Sequence, residues 1–155
     1  MPQIGPRGKF VFGWSVVQAD GSIFIPAQAR DEYTLVPGDR AILISGSKTS
    51  GAFSVGNWQR LEQSALAHIL TSLPRLAAGE VAEGEAWPYK GRRYGWATLH
   101  ADGRLRLSAP ALAGVGLRPG DQLLSIRGSY IAFDFAIQGP LVERARRHAE
   151  LEVFA

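Results

Sequence analysis

Asp20-Gly21-Ser22-Ile23-Phe24-Ile25-Pro26-Ala27-Gln28-Ala29-Arg30, followed by Leu35-Val36-Pro37-Gly38-Asp39, returns eighty-two positions later as Asp102-Gly103-Arg104-Leu105-Arg106-Leu107-Ser108-Ala109-Pro110-Ala111-Leu112 and Leu117-Arg118-Pro119-Gly120-Asp121. The overlay runs without insertion or deletion from Phe10–Asn57 onto Arg92–Gly139, and fifteen of the forty-eight aligned pairs are identical. The matches concentrate where backbone geometry is demanding, including Gly13-Trp14 with Gly95-Trp96 and Gly46-Ser47 with Gly128-Ser129. Two copies are too few for a solenoid, which needs roughly three or more units to bury a continuous core. The copies are therefore expected to pack on each other as a pseudo-twofold pair.

Within each copy the order reads β, β, short helix, β, β. Phe10 to Gln18 is aromatic and β-branched and stops at Ala19-Asp20-Gly21, a tight-turn signal expected to open a hairpin. Ser22 to Pro26 forms the return strand, and Pro26 ends it by lacking a ladder donor. Ala27 to Tyr33 reads as a short helix, Pro37-Gly38 as a turn whose glycine takes a positive φ, and Arg40 to Ser45 with Gly51 to Val55 as a second hairpin. After the first copy, Asn57 caps an apolar stripe from Trp58 through Leu61, Ala65, Ile69 and Leu73, which predicts a helix of about four turns. After the second, Gly139-Pro140 opens a helix expected over Leu141 to Leu151, and residues 77–91 read as a linker with Trp87-Pro88-Tyr89 as an apolar clip. The organisation is thus a first repeat at 1–57, a connecting helix and linker at 58–91, a second repeat at 92–139 and a C-terminal helix at 140–155.

At 155 residues and 46% hydrophobic, the chain has the size of one domain, whereas a copy of about fifty residues would be marginal alone. Cysteine is absent, which removes disulfides, thiolate metal sites and cysteine nucleophiles and fits a reducing cytoplasm. The first nine residues lack the apolar core of a signal peptide, and no run approaches the roughly eighteen apolar residues of a membrane span. The expected location is cytoplasmic, with no membrane partner.

Charge is distributed unevenly. The net value is +3 with a pI near 9.6, which allows an anionic partner without demanding one. The first copy sets Arg30, Arg40 and Lys48 against Asp20, Asp31, Glu32 and Asp39, whereas the second sets six arginines against Asp102, Asp121 and Asp134. Arg104 and Arg106 alternate with Leu105 and Leu107, so a strand there buries both leucines and turns both guanidiniums outward. Arg92 and Arg93 are expected on the partner strand, with Arg127 and Arg118 a strand or turn later. Such a ribbon suits phosphates or a major groove, where Arg offers bidentate geometry, although charge runs more commonly form a solvated sheet face.

Other constellations point away from catalysis. Asp39 and Asp121 are paired by the repeat, but no Asp-Thr-Gly or Asp-Ser-Gly signature is present, and turn aspartates usually bond to nearby backbone N–H groups. His68, His100 and His148 lack metal or triad spacing, and no phosphate-binding glycine loop occurs. No cofactor, metal or small-molecule substrate is expected. Trp14 and Trp96 are expected as core or copy-interface anchors.

The run from Asp20 to Arg30 with Leu35-Val36-Pro37-Gly38-Asp39 resembles the swapped-hairpin module of the AbrB, SpoVT and MazE group of transcription factors. The doubled layout, with Trp58-Gln59-Arg60-Leu61-Glu62 opening a helix that ends at Leu73-Pro74, is similar to MraZ proteins, which carry two such modules. The resemblance covers both copies and the helix between them. It implies a mainly β, pseudo-twofold swapped-hairpin barrel with two peripheral helices, acting as a cytoplasmic, homo-oligomeric, non-enzymatic regulator that binds double-stranded DNA. The implied contacts are Arg92, Arg93, Arg104, Arg106, Arg127 and Arg30. The chain departs from the pattern at Ser22, where DNA-binding members carry arginine and the second copy has Arg104. Leu112 and Ser108 likewise replace the first copy's Arg30 and Pro26, and the turn lacks the extra residues of MraZ proteins. The alternative is a non-catalytic interaction or assembly module that kept the barrel and lost DNA binding. An antitoxin role is disfavoured, since antitoxins of this fold usually carry a disordered tail where this sequence reads as a helix.

Overall fold

The computed structural model of the chain describes residues 3–4, 9–47 and 49–155; Lys48 of the charge tally and most of the N-terminal segment lie outside them. The elements run β1 (Gln3–Ile4), β2 (Lys9–Val16), β3 (Ser22–Phe24), α1 (Ala27–Glu32), β4 (Arg40–Ser45) and β5 (Phe53–Asn57). Between the copies come α2 (Trp58–Glu62), α3 (His68–Ser72), α4 (Pro74–Ala77) and β6 (Trp87–Tyr89). The second copy supplies β7 (Arg92–Thr98), β8 (Arg104–Arg106), α5 (Ala109–Gly114), β9 (Gln122–Ile126) and β10 (Ala132–Ala136), and α6 (Pro140–Ala145) and β11 (Val153–Phe154) close the chain. The protein is mainly β, and both copies follow the expected order.

The long strands pair across the repeat boundary. β2 lies against β9 and β4 against β7, in registers that the eighty-two-residue offset interchanges: Trp14 opposes Leu124 and Trp96 opposes Ile42. β5 pairs with β10 through Phe53 and Phe135, which are equivalent positions. The expected first hairpin closes with two backbone bonds, from the Gln18 N–H to the Ser22 carbonyl and from the Gly21 N–H to the Gln18 carbonyl, both 2.9 Å, and then β3 leaves β2 to pair with β8. Ile23 opposes Leu105 there, so two equivalent apolar residues meet with both side chains fully buried. Pairing with the other copy buries the same apolar face that a local hairpin would, and it also joins the two cores.

The main sheet is open, a correction to the closed barrel implied by the resemblance. Its nine strands run β1-β2-β9-β10-β5-β4-β7-β6, with β11 parallel to β2, and β3 and β8 form a separate two-stranded ribbon. The two outer strands of that path lack a shared ladder.

A central core draws on both copies: Phe12, Ile23, Tyr33 and Phe53 from the first meet Leu105, Leu123, Phe133 and Phe135 from the second. Two smaller cores flank it. Trp58, Leu61, Ile69, Leu70 and Leu76 pack on Ile42 and Tyr94, while Val142, Ala145 and Leu151 pack on Val11, Trp14 and Leu124. Trp14 is the buried anchor expected of it, and Trp96 packs half-buried with its indole N–H on the Val81 carbonyl at 2.7 Å.

The repeated Gly-Trp pair has a shared cause. A Cβ on Gly13 would sit 2.7 Å from the Glu152 carbonyl, and one on Gly95 would sit 2.5 Å from the Glu85 carbonyl. In each copy, the segment that follows one copy's helix crosses the first strand of the other, and only glycine lets two backbones approach so closely. The expected linker is therefore ordered structure: residues 81–86 lie against β7, and Trp87–Tyr89 forms β6 on its edge.

Two helix expectations are corrected. The predicted four-turn helix is broken into α2 and α3, with α4 beyond its expected end, because the Ser64 hydroxyl donates to the Leu61 carbonyl at 2.8 Å and accepts the Leu66 N–H at 3.0 Å, which diverts the backbone from the helical ladder between α2 and α3. The C-terminal helix stops at Ala145, and the chain returns as β11 along β2.

Candidate nucleic-acid interface

Alternation places β8 as expected. Leu105 and Leu107 are buried, Arg106 is exposed and Arg104 is half-covered on the outward face. Phe24, across the ladder from Arg104, turns the same way and becomes a shared platform. The Arg104 guanidinium lies 5.5 Å from the Phe24 ring centroid and that of Arg30 lies 5.3 Å from it. Arg30 is fixed by its Nε–H, which donates to the Ile25 carbonyl at 3.0 Å. Three guanidiniums from two copies thus gather on one ribbon and its adjoining helix.

Part of that charge is already matched. Asp102 accepts from Arg106 Nη2 at 3.0 Å and stands 3.9 Å from Arg104 Nε. Arg104 Nη2 also donates to the Ala155 carbonyl, and Phe154 stacks on Phe24 with ring centroids 5.3 Å apart. The C-terminal strand consequently covers one end of the ribbon and leaves Arg104 Nη1 buried without a partner among the described residues. An unpaired buried donor is costly.

The other expected arginines are not brought to this face. β7 pairs with β4 and β6, so Arg92 and Arg93 do not sit on the partner strand of Arg104 and Arg106. Arg92 donates to the Ser45 carbonyl at 2.8 Å, and Arg93 Nη2 donates to the Ala86 carbonyl at 2.9 Å. Arg127 forms a two-pronged pair with Glu32, one bond being 2.7 Å, and lies over Phe10 at 4.4 Å. Glu32 holds the Arg127 guanidinium above its ordinary pKa, so this arginine is an internal tie between copies. Beside it, burial raises the Tyr33 phenol, whose oxygen accepts the Gly128 N–H at 3.0 Å.

Three participants were missed in the sequence. Phe24 alternates with buried Ile23 and Ile25, a signal for an outward aromatic. Asp102 stands two and four residues before Arg104 and Arg106, within local reach as their neutraliser, whereas Phe154 as cover depends on tertiary placement and leaves no local trace. Arg60 was also overlooked: it donates to the Glu32 and Tyr130 carbonyls at 3.2 and 2.9 Å and to the Thr34 hydroxyl at 2.9 Å, stapling both copies to α2.

Among the described residues no group of three or more His, Asp or Glu is placed to hold a metal ion, and no helix is long and apolar enough to cross a membrane. Comparison with protein-family models and with curated proteins finds no match to this chain.

Proposed function

We propose that this chain is a DNA-binding transcriptional regulator of AbrB or MraZ type, built as a pseudo-twofold swapped-hairpin unit, with the β3–β8 ribbon as its contact surface. The observation that carries the reading is the placing of Arg104 and Arg30 over Phe24, with Arg106 exposed on the same strand of a two-stranded ribbon. Guanidiniums on a ribbon neutralise phosphates and fork onto base edges, and the strand exchange across the repeat supports the swapped-hairpin assignment. One ribbon per chain carries arginine on one strand only, so a homo-oligomer presenting two ribbons to a duplex completes the proposal. The location that follows is the cytoplasm.

The test is fluorescence anisotropy with a mixed-sequence duplex at about 50 and 200 mM salt. Arg104→Ser with Arg106→Ser should weaken binding strongly and flatten the salt slope by about one unit for each phosphate no longer neutralised. Arg40→Ser, away from the ribbon, should change little. If the double variant binds as the parent does with the same slope, the proposal fails. A second reading, a non-catalytic assembly module, is favoured by one observation: Asp102 and the Ala155 carbonyl already engage the ribbon's arginines. Absence of any salt-dependent duplex binding by the parent would select it.

A further inference from the structure

The four turn aspartates of the two copies are not used alike. Asp20, Asp102 and Asp121 each accept a backbone N–H within their own turn, from Ser22 at 2.9 Å, Arg104 at 3.2 Å and Arg118 at 3.0 Å. Asp39, the counterpart of Asp121, makes no such bond among the described residues. It stands instead on the wall of a cleft of about 470 Å³, bounded by the Pro37-Gly38 turn, the start of β4 and α2.

Two further charges line the same cleft. The Arg40 guanidinium lies on the Trp58 indole, 4.2 Å from its centroid, and has no hydrogen-bond or ion-pair partner among the described residues. Glu62 accepts the Trp58 indole N–H at 2.6 Å and likewise pairs with no cation there. One cation and two anions thus share a cleft without neutralising one another. Val36, 48% exposed, and the half-buried Leu35 supply an apolar wall, and Thr34 at the rim holds a φ of 50°. Non-glycine residues in that region concentrate at functional positions. The second copy has Gln122, Pro140 and Arg144 where the first has Arg40, Trp58 and Glu62, so the arrangement belongs to the first copy alone.

We propose that this cleft binds a free α-amino acid with an apolar side chain. A guanidinium seated over an indole still offers its N–H groups to a carboxylate, and the volume falls in the range of small-molecule sites. The ligand carboxylate takes the free edge of Arg40, its ammonium takes Asp39, and its side chain lies on Val36 and Leu35. A simple anion would meet two carboxylates and a simple cation would meet Arg40, whereas a zwitterion satisfies both signs. The proposal stands whether or not the ribbon binds DNA.

Calorimetry and Trp fluorescence on the full chain test it, with the standard apolar amino acids, isovaleric acid as a carboxylate lacking the amine, and isoamylamine as an amine lacking the carboxylate. At least one amino acid should bind saturably, with both analogues weaker by about tenfold or more, and Arg40→Gln and Asp39→Asn should each cost about as much. The Asp39 side chain is exposed and accepts no hydrogen bond among the described residues, so its variant keeps the test intact should Arg40→Gln fail to fold. The proposal is overturned if no amino acid binds up to about 10 mM. Equal binding of either analogue, or undiminished binding by Asp39→Asn, overturns it as well.

Discussion

Cutting the chain between Ala78 and Gly79 tests the strand exchange directly. Residues 1–78 would keep only the β1·β2 and β4·β5 pairs, and residues 79–155 only β6·β7 and β9·β10. The ladders β2·β9, β4·β7, β3·β8 and β5·β10 all lie across the cut. Isolated two-stranded hairpins are marginal in water. The side chains argue the same way: Phe12 and Tyr33 pack on Phe133 with ring centroids 6.1 and 5.6 Å apart, and Phe53 packs on Phe135 at 5.5 Å. Re-exposing three such side chains costs about 1.5–3 kcal/mol each, together on the order of 5–9 kcal/mol. That is comparable with the whole stability of a domain, about 5–15 kcal/mol. Each fragment should therefore show no cooperative urea transition by circular dichroism and poor amide dispersion by NMR, and co-expression should restore both. A dispersed spectrum and a cooperative transition from either fragment as a monomer would refute the exchange.

Further outcomes follow from single positions. Gly38 sits at φ 95° with open space around its missing Cβ, so Gly38→Val should cost about 1–3 kcal/mol through backbone strain alone, read as a lower melting temperature; an unchanged value would show the turn tolerates any residue. Gly13→Ala should lift the C-terminal strand, because its Cβ would meet the Glu152 carbonyl at 2.7 Å; amide exchange at Trp14, whose N–H donates to that carbonyl, should speed up, and unchanged protection would count against the close-approach argument. The Ser22 hydroxyl and N–H hold the Asp20 carboxyl below its ordinary value of 3.8. Its contribution to stability is therefore complete above that value and lost as pH falls through the lower folded pKa. Asp20→Asn should reduce the acid-side slope of the urea midpoint, and an identical slope would show that Asp20 contributes none of it.

Local geometry was legible in the sequence; the choice of partner was not. The order β, β, helix, β, β follows from alternation and from Gly and Pro at turns, which act within a few residues. Whether β3 would pair with β2 or with β8 could not be read, because Ile23 and Leu105 offer the same apolar pattern to either neighbour. Alternation within β8 is enough to turn Arg104 and Arg106 outward, but the strand of Arg92 and Arg93, expected to pair with theirs, pairs with β4 and β6 instead. Periodicity also overstated both helices. It registered the apolar stripe past Ser64 but not that hydroxyl's two backbone bonds, and it passed over Val153–Phe154 because two residues are too few to show a period. Of the cleft, Asp39 and Arg40 were visible as residues, but their freedom from partners emerges only when the other three turn aspartates are seen to be occupied.

Strand exchange ties the buried faces of the two copies together. Each core strand must fit a partner from the other copy, so a change on a buried face of one copy strains both. Many buried positions stay apolar while changing size, as at Ile23 and Leu105 or Ala41 and Leu123, whereas identities concentrate at the turns, Ala19-Asp20-Gly21 and Pro37-Gly38-Asp39 with their counterparts, and at the glycines that let backbones cross. The ribbon and the cleft differ between the copies: Phe24 stands against Arg106 on the ribbon, and Arg40, Trp58 and Glu62 against Gln122, Pro140 and Arg144 around the cleft. Arg30 of the first copy nevertheless reaches the Phe24 platform beside Arg104 of the second, so the basic face is assembled from both halves. A duplicated, interlocked core thus carries two separate surfaces, the ribbon proposed for phosphate groups and the cleft proposed for a small zwitterion, while neither can change the strands beneath it alone.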